Sequence, residues 1–110
     1  MAGIVEEITY RPGKFIAAFV PKSSEYNECL EIRVKSTSGN REIIVRQIAG
    51  MLARRIVCWL AEKELVTAGQ KYGMIKFGSR VEILVAQNVQ IAVKLHDRVI
   101  GGKTVLGRWL

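Results

Sequence analysis

The apolar residues of this chain come in short runs that alternate with charged ones and stop at turn residues. Leu30–Lys35 sets Leu30, Ile32 and Val34 against Glu31, Arg33 and Lys35, the two-residue period of a half-buried strand. Ser36-Thr-Ser-Gly-Asn40 then reads as a hairpin turn, and Glu42–Ile48 alternates again. Upstream, Gly3–Tyr10 carries Ile4, Val5, Ile8 and Tyr10 before an Arg-Pro-Gly-Lys turn at 11–14. Phe15–Val20 is a further apolar run, closed by Pro21. Punctuation of this kind predicts a domain built from short strands.

Gln47–Leu60 carries two signals. Ala49, Met51, Leu52 and Ala53 suit a helix, whereas Ile56-Val-Cys-Trp59 suits a buried strand. The reading is two strands meeting at a Gly50 bend or at one short helical turn. A weak internal repeat follows: Glu64-Leu-Val-Thr-Ala-Gly-Gln-Lys71 matches Asp97-Arg-Val-Ile-Gly-Gly-Lys-Thr104. An acidic residue, a valine and then a glycine mark a tight turn entering a strand, where glycine supplies positive φ. Duplicated turns in so small a chain predict an all-β, barrel-like sandwich resembling the biotinyl/lipoyl-type barrel-sandwich hybrid. With 110 residues and no linker or low-complexity segment, residues 1–110 are read as a single domain.

Composition narrows the partners. The chain is 49% hydrophobic, so either its core is generous or apolar surface meets a partner or a membrane. Its formal charge of +7 attracts polyanions, either nucleic acid or an anionic membrane surface. The basic residues are scattered apart from Arg54-Arg55, and no aromatic-interleaved basic stripe favours nucleic acid. Cys29 and Cys58 lack CxxC spacing and sit among apolar residues, which fits reduced core thiols and no metal site. Trp59, Trp109 and Phe77 read as core or interface aromatics. The longest uncharged run, Ile83–Val93, is too short for a membrane-spanning helix.

The chemical signal is Gly78-Ser79, inside Tyr72-Gly-Met-Ile-Lys-Phe-Gly-Ser-Arg-Val-Glu82. Alone the dipeptide means little. Its context, however, resembles the self-processing segment of phosphatidylserine decarboxylases of the short bacterial type. Tyr10-Arg-Pro-Gly-Lys-Phe15, Lys22-Ser-Ser24 with Asn27-Glu28, and Gln47-Ile-Ala-Gly50 with Ala53-Arg-Arg-Ile-Val57 match the same family in order and spacing. Ala68-Gly-Gln-Lys71 leads into the Gly-Ser pair in the same way. Two activating residues of the family, an Asp before Gly and a His in a Val-His-x-x-Arg context, belong to an upstream portion that is not in this sequence. The sole histidine, His96, stands where the family usually has a turn glycine, and it reads as an exposed turn residue.

The resemblance implies a reaction. The Ser79 hydroxyl attacks the Gly78 carbonyl, which lacks a neighbouring β-carbon to obstruct it. The N→O acyl shift gives an ester, and β-elimination releases residues 1–78. Hydrolysis of the dehydroalanine left at position 79 yields ammonia and a pyruvoyl group at the start of residues 79–110. That pyruvoyl cofactor, derived from Ser79, forms a Schiff base with the substrate amine and accepts the electrons freed as CO2 leaves. The implied substrate is phosphatidylserine, converted to phosphatidylethanolamine at the cytoplasmic face of the cell membrane by a peripheral enzyme. Arg80 could pair with a phosphate or carboxylate of that anionic phospholipid, or stand solvated on an alternating strand. The implied protein partners are the missing N-terminal segment or further copies of the chain. The alternative is an uncleaved, non-catalytic domain of the same architecture acting as a scaffold or interaction module. Lys76 lacks the Met-Lys-Met context of a biotin or lipoyl carrier.

Overall fold

Alternation alone does not hold a strand; it needs a neighbour for its backbone and a partner for its apolar face. The computed structural model describes residues 2–13, 27–37, 39, 41–49, 56–67, 70, 73–75, 80–100 and 103–109. Within them the strands are β1 Gly3–Arg11, β2 Cys29–Ser36, β3 Glu42–Ile48, β4 Ile56–Cys58, β5 Leu65–Val66, β6 Gly73–Ile75, β7 Arg80–Val85, β8 Val89–Ile91 and β9 Gly107–Trp109. Among the described residues there is no helix, so the all-β expectation stands. The strands from 30 and 42 lie where the alternation put them, and β1 runs one residue past Tyr10. Phe15–Val20 and residues 50–55, where a Gly50 bend or helical turn was expected, lie outside the described residues.

An antiparallel sheet in the order β5-β1-β2-β3-β7 curls into a half-barrel. β4 pairs with β6, and β8 with β9, in two smaller ladders. The concave face of the large sheet carries the core: Val5, Ile32, Val34 and Val66 are buried together, with Ile8, Leu30, Ile43, Val45, Cys58 and Leu60 packed around them. A bulge makes this possible. Val5 pairs with Val34 and Ile8 with Ile32, with a register shift between Val5 and Glu7. Residues three apart on a regular strand would face opposite ways, and the extra residue returns Ile8 to the side of Val5.

The internal repeat is a repeat of turns. Glu64 N–H donates to Ala61 O (3.2 Å) and Asp97 N–H to Lys94 O (3.0 Å). Gln70 N–H donates to Thr67 O (3.2 Å) and Lys103 N–H to Ile100 O (3.0 Å). Each pair falls at equivalent positions of the two copies. Positive φ was expected at the glycines of the motif, which lie outside the described residues. Among the described residues of the motif's surroundings, positive φ falls on the residue before each acid, Lys63 (67°) and His96 (71°). In the first copy the turn is tied to the core sheet, since Lys63 N–H donates to Val5 O (2.6 Å) and Val5 N–H to Glu64 O (2.9 Å).

Two stability measurements follow from these contacts. A Cβ on Gly3 would collide with the Lys35 carbonyl oxygen and lie 2.9 Å from Val34 Cγ1, so Gly3→Ala should destabilise by about 1–3 kcal/mol in urea unfolding. His96→Gly should hold or raise the melting temperature, whereas His96→Val should lower it by the equivalent of about 1–2 kcal/mol, because a β-branched residue resists positive φ.

Candidate functional site

Gly78 and Ser79 lie outside the described residues, as do Lys76, Phe77 and Arg54-Arg55. Their flanks are described. β6 ends at Ile75 in the ladder with β4, and β7 begins at Arg80 in the large sheet, so the chain changes sheets across residues 76–79. Arg80 pairs with Ile48 on β3, Ile48 with Cys29 on β2, and Cys29 with Arg11 on β1. This row of four is one end of the sheet, and Ser79 directly precedes it in sequence.

The motif blocks singled out in the sequence gather at the same end. Asn27 is fully buried, and its Nδ2 donates to Ala49 O at 2.6 Å. Ala49 N–H in turn donates to Glu28 O at 3.0 Å. The Tyr10 hydroxyl donates to Glu28 Oε2 at 2.5 Å, and this bond to a carboxylate raises the phenol above its ordinary pKa. The starts of β2 and β7 and the ends of β1 and β3 are therefore locked side by side, through residues from three separate blocks.

Arg80 lies on the convex face and spends its charge on the neighbouring strand residues. Its Nη2 is 3.1 Å from Glu82 Oε2. Glu82 Oε1 is 3.7 Å from Arg46 Nη1, and Arg46 Nε donates to Glu31 Oε1 at 2.6 Å. Glu31, Arg46 and Glu82 are direct cross-strand partners, so opposite charges alternate across three strands. The bond to Glu31 raises the Arg46 guanidinium above its ordinary value. Pairs this exposed contribute little singly; as a connected row they orient Arg80. Beside them, burial pushes the Cys29 thiol above its usual pKa, against the pull of Arg11 and Arg46.

On the concave face, Gln47 went unnoticed as a single residue in the sequence. It is only 4% exposed, pairs with Val81, and leaves its Oε1 buried without a donor among the described residues. A glutamine on the inward side of an apolar alternation was the available signal. Among the described residues, no cluster of His, Cys, Asp and Glu could hold a metal ion. His96 is exposed in its turn. Trp59 is exposed rather than part of the core, and Trp109 is half-buried under the Arg41 guanidinium, 5.4 Å from its ring centroid. Cys29 is buried and Cys58 half-buried, both unbridged.

A family model described as phosphatidylserine decarboxylase matches residues 1–107. The chain belongs to the phosphatidylserine decarboxylase family. It is 45% identical over 109 residues to a phosphatidylserine decarboxylase proenzyme of Cytophaga hutchinsonii, covering 99% of this chain and 49% of that one. Proenzymes of the same name from Syntrophus aciditrophicus (43% identity, 96% of this chain, 49% of that one) and Ehrlichia chaffeensis (45%, 96% and 47%) are similar. The chain thus spans about half the length of the curated relatives it matches. No solved structure matches it.

A buried acceptor without a donor costs about 1–3 kcal/mol. Gln47→Leu should therefore leave the melting temperature of the chain unchanged or raise it, and Gln47→Glu, which buries a carboxylate there, should lower it.

Proposed function

We propose that this chain is the self-processing portion of a phosphatidylserine decarboxylase, cut between Gly78 and Ser79 to leave a pyruvoyl group at position 79. The β3–β7 ladder carries the reading. Ile43 to Ile48 pair residue by residue with Val85 to Arg80, so the piece beginning at 79 remains held after its peptide bond is gone. A cut at that bond breaks no described strand: β1 to β6 stay in residues 1–78 and β7 to β9 in residues 79–110. The first residue of the second piece then comes one position before Arg80, whose backbone pairs with Ile48 and whose guanidinium pairs with Glu82. A group made from Ser79 is then joined directly to a residue that the sheet holds.

The pyruvoyl group supplies an electron sink for decarboxylation of an amine-bearing substrate. The residues described here supply position. Arg80, at the sheet end, is the candidate to meet the phosphate or carboxylate of phosphatidylserine, and Glu82 and Arg46 keep its guanidinium from folding away. The net charge of +7 supports peripheral attachment to an anionic membrane on the cytoplasmic side. The alternative of an uncleaved scaffold domain has no particular observation in its favour.

The test is intact mass of the full chain, co-expressed with the portion of the Cytophaga hutchinsonii proenzyme that it does not match. Conversion to residues 1–78 plus a second piece with a blocked N-terminus at 79 is expected, and Ser79→Ala should stay whole. The processed sample should release CO2 from phosphatidylserine vesicles. Arg80→Ala should raise the apparent KM at least tenfold and still be cut. A wild-type chain that remains uncut with the second portion present overturns the proposal.

A further inference from the structure

Among the described residues, Glu28 Oε1 and Gln47 Oε1 are both buried and both without a donor. Register brings them together. Cys29 pairs with Ile48, and Ala49 N–H donates to Glu28 O at 3.0 Å, so the ladder runs one row further and sets Glu28 opposite Ala49. Gln47 comes two residues before Ala49 and is the diagonal neighbour of Glu28, a separation that long side chains cross. Leu30, which follows Glu28 by two and pairs with Gln47, packs against the core, so both side chains belong to the concave face. The row of Glu28 lies just beyond that of Arg11, Cys29, Ile48 and Arg80, on the side where β7 begins. The Tyr10 hydroxyl holds Glu28 Oε2 at 2.5 Å, which fixes the carboxylate and leaves Oε1 as its open oxygen. Gln47 is only 4% exposed, and a bare acceptor at such burial lowers stability. Two of them side by side point to a donor that arrives from outside the fold.

We propose that Glu28 and Gln47 receive the ammonium group of the substrate headgroup and so select amine-bearing phospholipids. The inference rests on the proposed function and names what would recognise its substrate. An ammonium brings one positive charge and three N–H donors. The pair offers one carboxylate charge and two open oxygens, so charge and hydrogen bonds are met together. Water would satisfy the oxygens but not the charge. A divalent metal ion asks for more oxygen ligands than two, and no cluster among the described residues supplies them. Around the pair the concave face is apolar, from Leu30 to Val81, Ile83 and Val85 on the bare wall of β7, which are 57%, 45% and 37% exposed. Such surroundings strengthen the pull of a carboxylate on a cation. Arg80, the candidate for the phosphate or carboxylate, stands in the adjacent row on the convex face. The sheet end thus offers an anion on one face and a cation on the other, which matches a headgroup carrying both signs. An anionic lipid without an amine finds no partner at Glu28 and is repelled by it.

The experiment takes the full chain carrying Ser79→Ala, co-expressed with the unmatched portion of the Cytophaga hutchinsonii proenzyme. It is sedimented with vesicles of phosphatidylserine or of phosphatidylglycerol, which has the same net charge and no amine. Binding to phosphatidylserine should be about tenfold tighter, the scale of a charge-assisted hydrogen bond. Glu28→Gln and Gln47→Leu should each bring the two affinities within about twofold by weakening the phosphatidylserine arm alone. Glu6→Gln removes the same charge from an exposed position and should leave the ratio unchanged. Circular dichroism checks the fold of each variant, and Gln47→Leu decides the matter if Glu28→Gln fails to fold. A parent chain that binds both vesicles equally overturns the proposal, as it does if a basic side chain of the second portion fills the pair. So does a preference that both variants retain, or an equal loss in both arms. Because Ser79→Ala cannot be cut, recognition is read apart from processing. Amine selectivity with no cut in the wild-type chain leaves this inference standing and defeats the proposed function, and a cut chain without selectivity does the reverse.

Discussion

The pairing of β3 with β7 is the contact on which the rest of the molecule depends. It attaches everything after Ser79 to the body of the sheet through a ladder from Ile43–Val85 to Ile48–Arg80. It also sets both faces of β7. Val81, Ile83 and Val85 turn to the apolar side, and Glu82 turns outward to Arg46. A shift by one residue would send the valines to the charged row and Glu82 into the core, so the register is strongly enforced.

Around that ladder the molecule divides its labour by face. The concave side is apolar and half covered. The convex side carries the Glu31–Arg46–Glu82–Arg80 row, where each charge has an opposite neighbour. Both sides end at the residues that follow Ser79. A backbone cut at 78–79 would leave the described strand pairing, the charged row and the apolar wall of β7 intact.

Much of this was legible in the amino-acid order. The strands at 30 and 42 follow from alternation, and the turns at 64 and 97 from a repeated pattern that reappears as equivalent hydrogen bonds. His96 was read as a turn residue standing where the family has glycine, and its φ of 71° supplies the reason. The gathering of Tyr10, Asn27-Glu28 and Ala49 at one sheet end was not legible, because those residues are far apart in sequence and meet only through register. The inward place of Gln47 is legible in the alternation, but its lack of a donor among the described residues is not, since nothing local distinguishes a buried amide lacking a donor from one that has found its bond.

Period, turn chemistry and the Gly78-Ser79 pair are properties of neighbouring residues, and the sequence by itself determined them: short strands, duplicated turns, and a Gly-Ser pair set in a segment that resembles the family's. The tertiary structure alone decided the bulge that brings Val5 and Ile8 to one side, the ion pair that occupies Arg80, and the bare wall of β7. Each of these depends on which strand lies beside which. That choice is made by apolar burial and backbone pairing summed over the whole sheet, and no local window of the chain contains it.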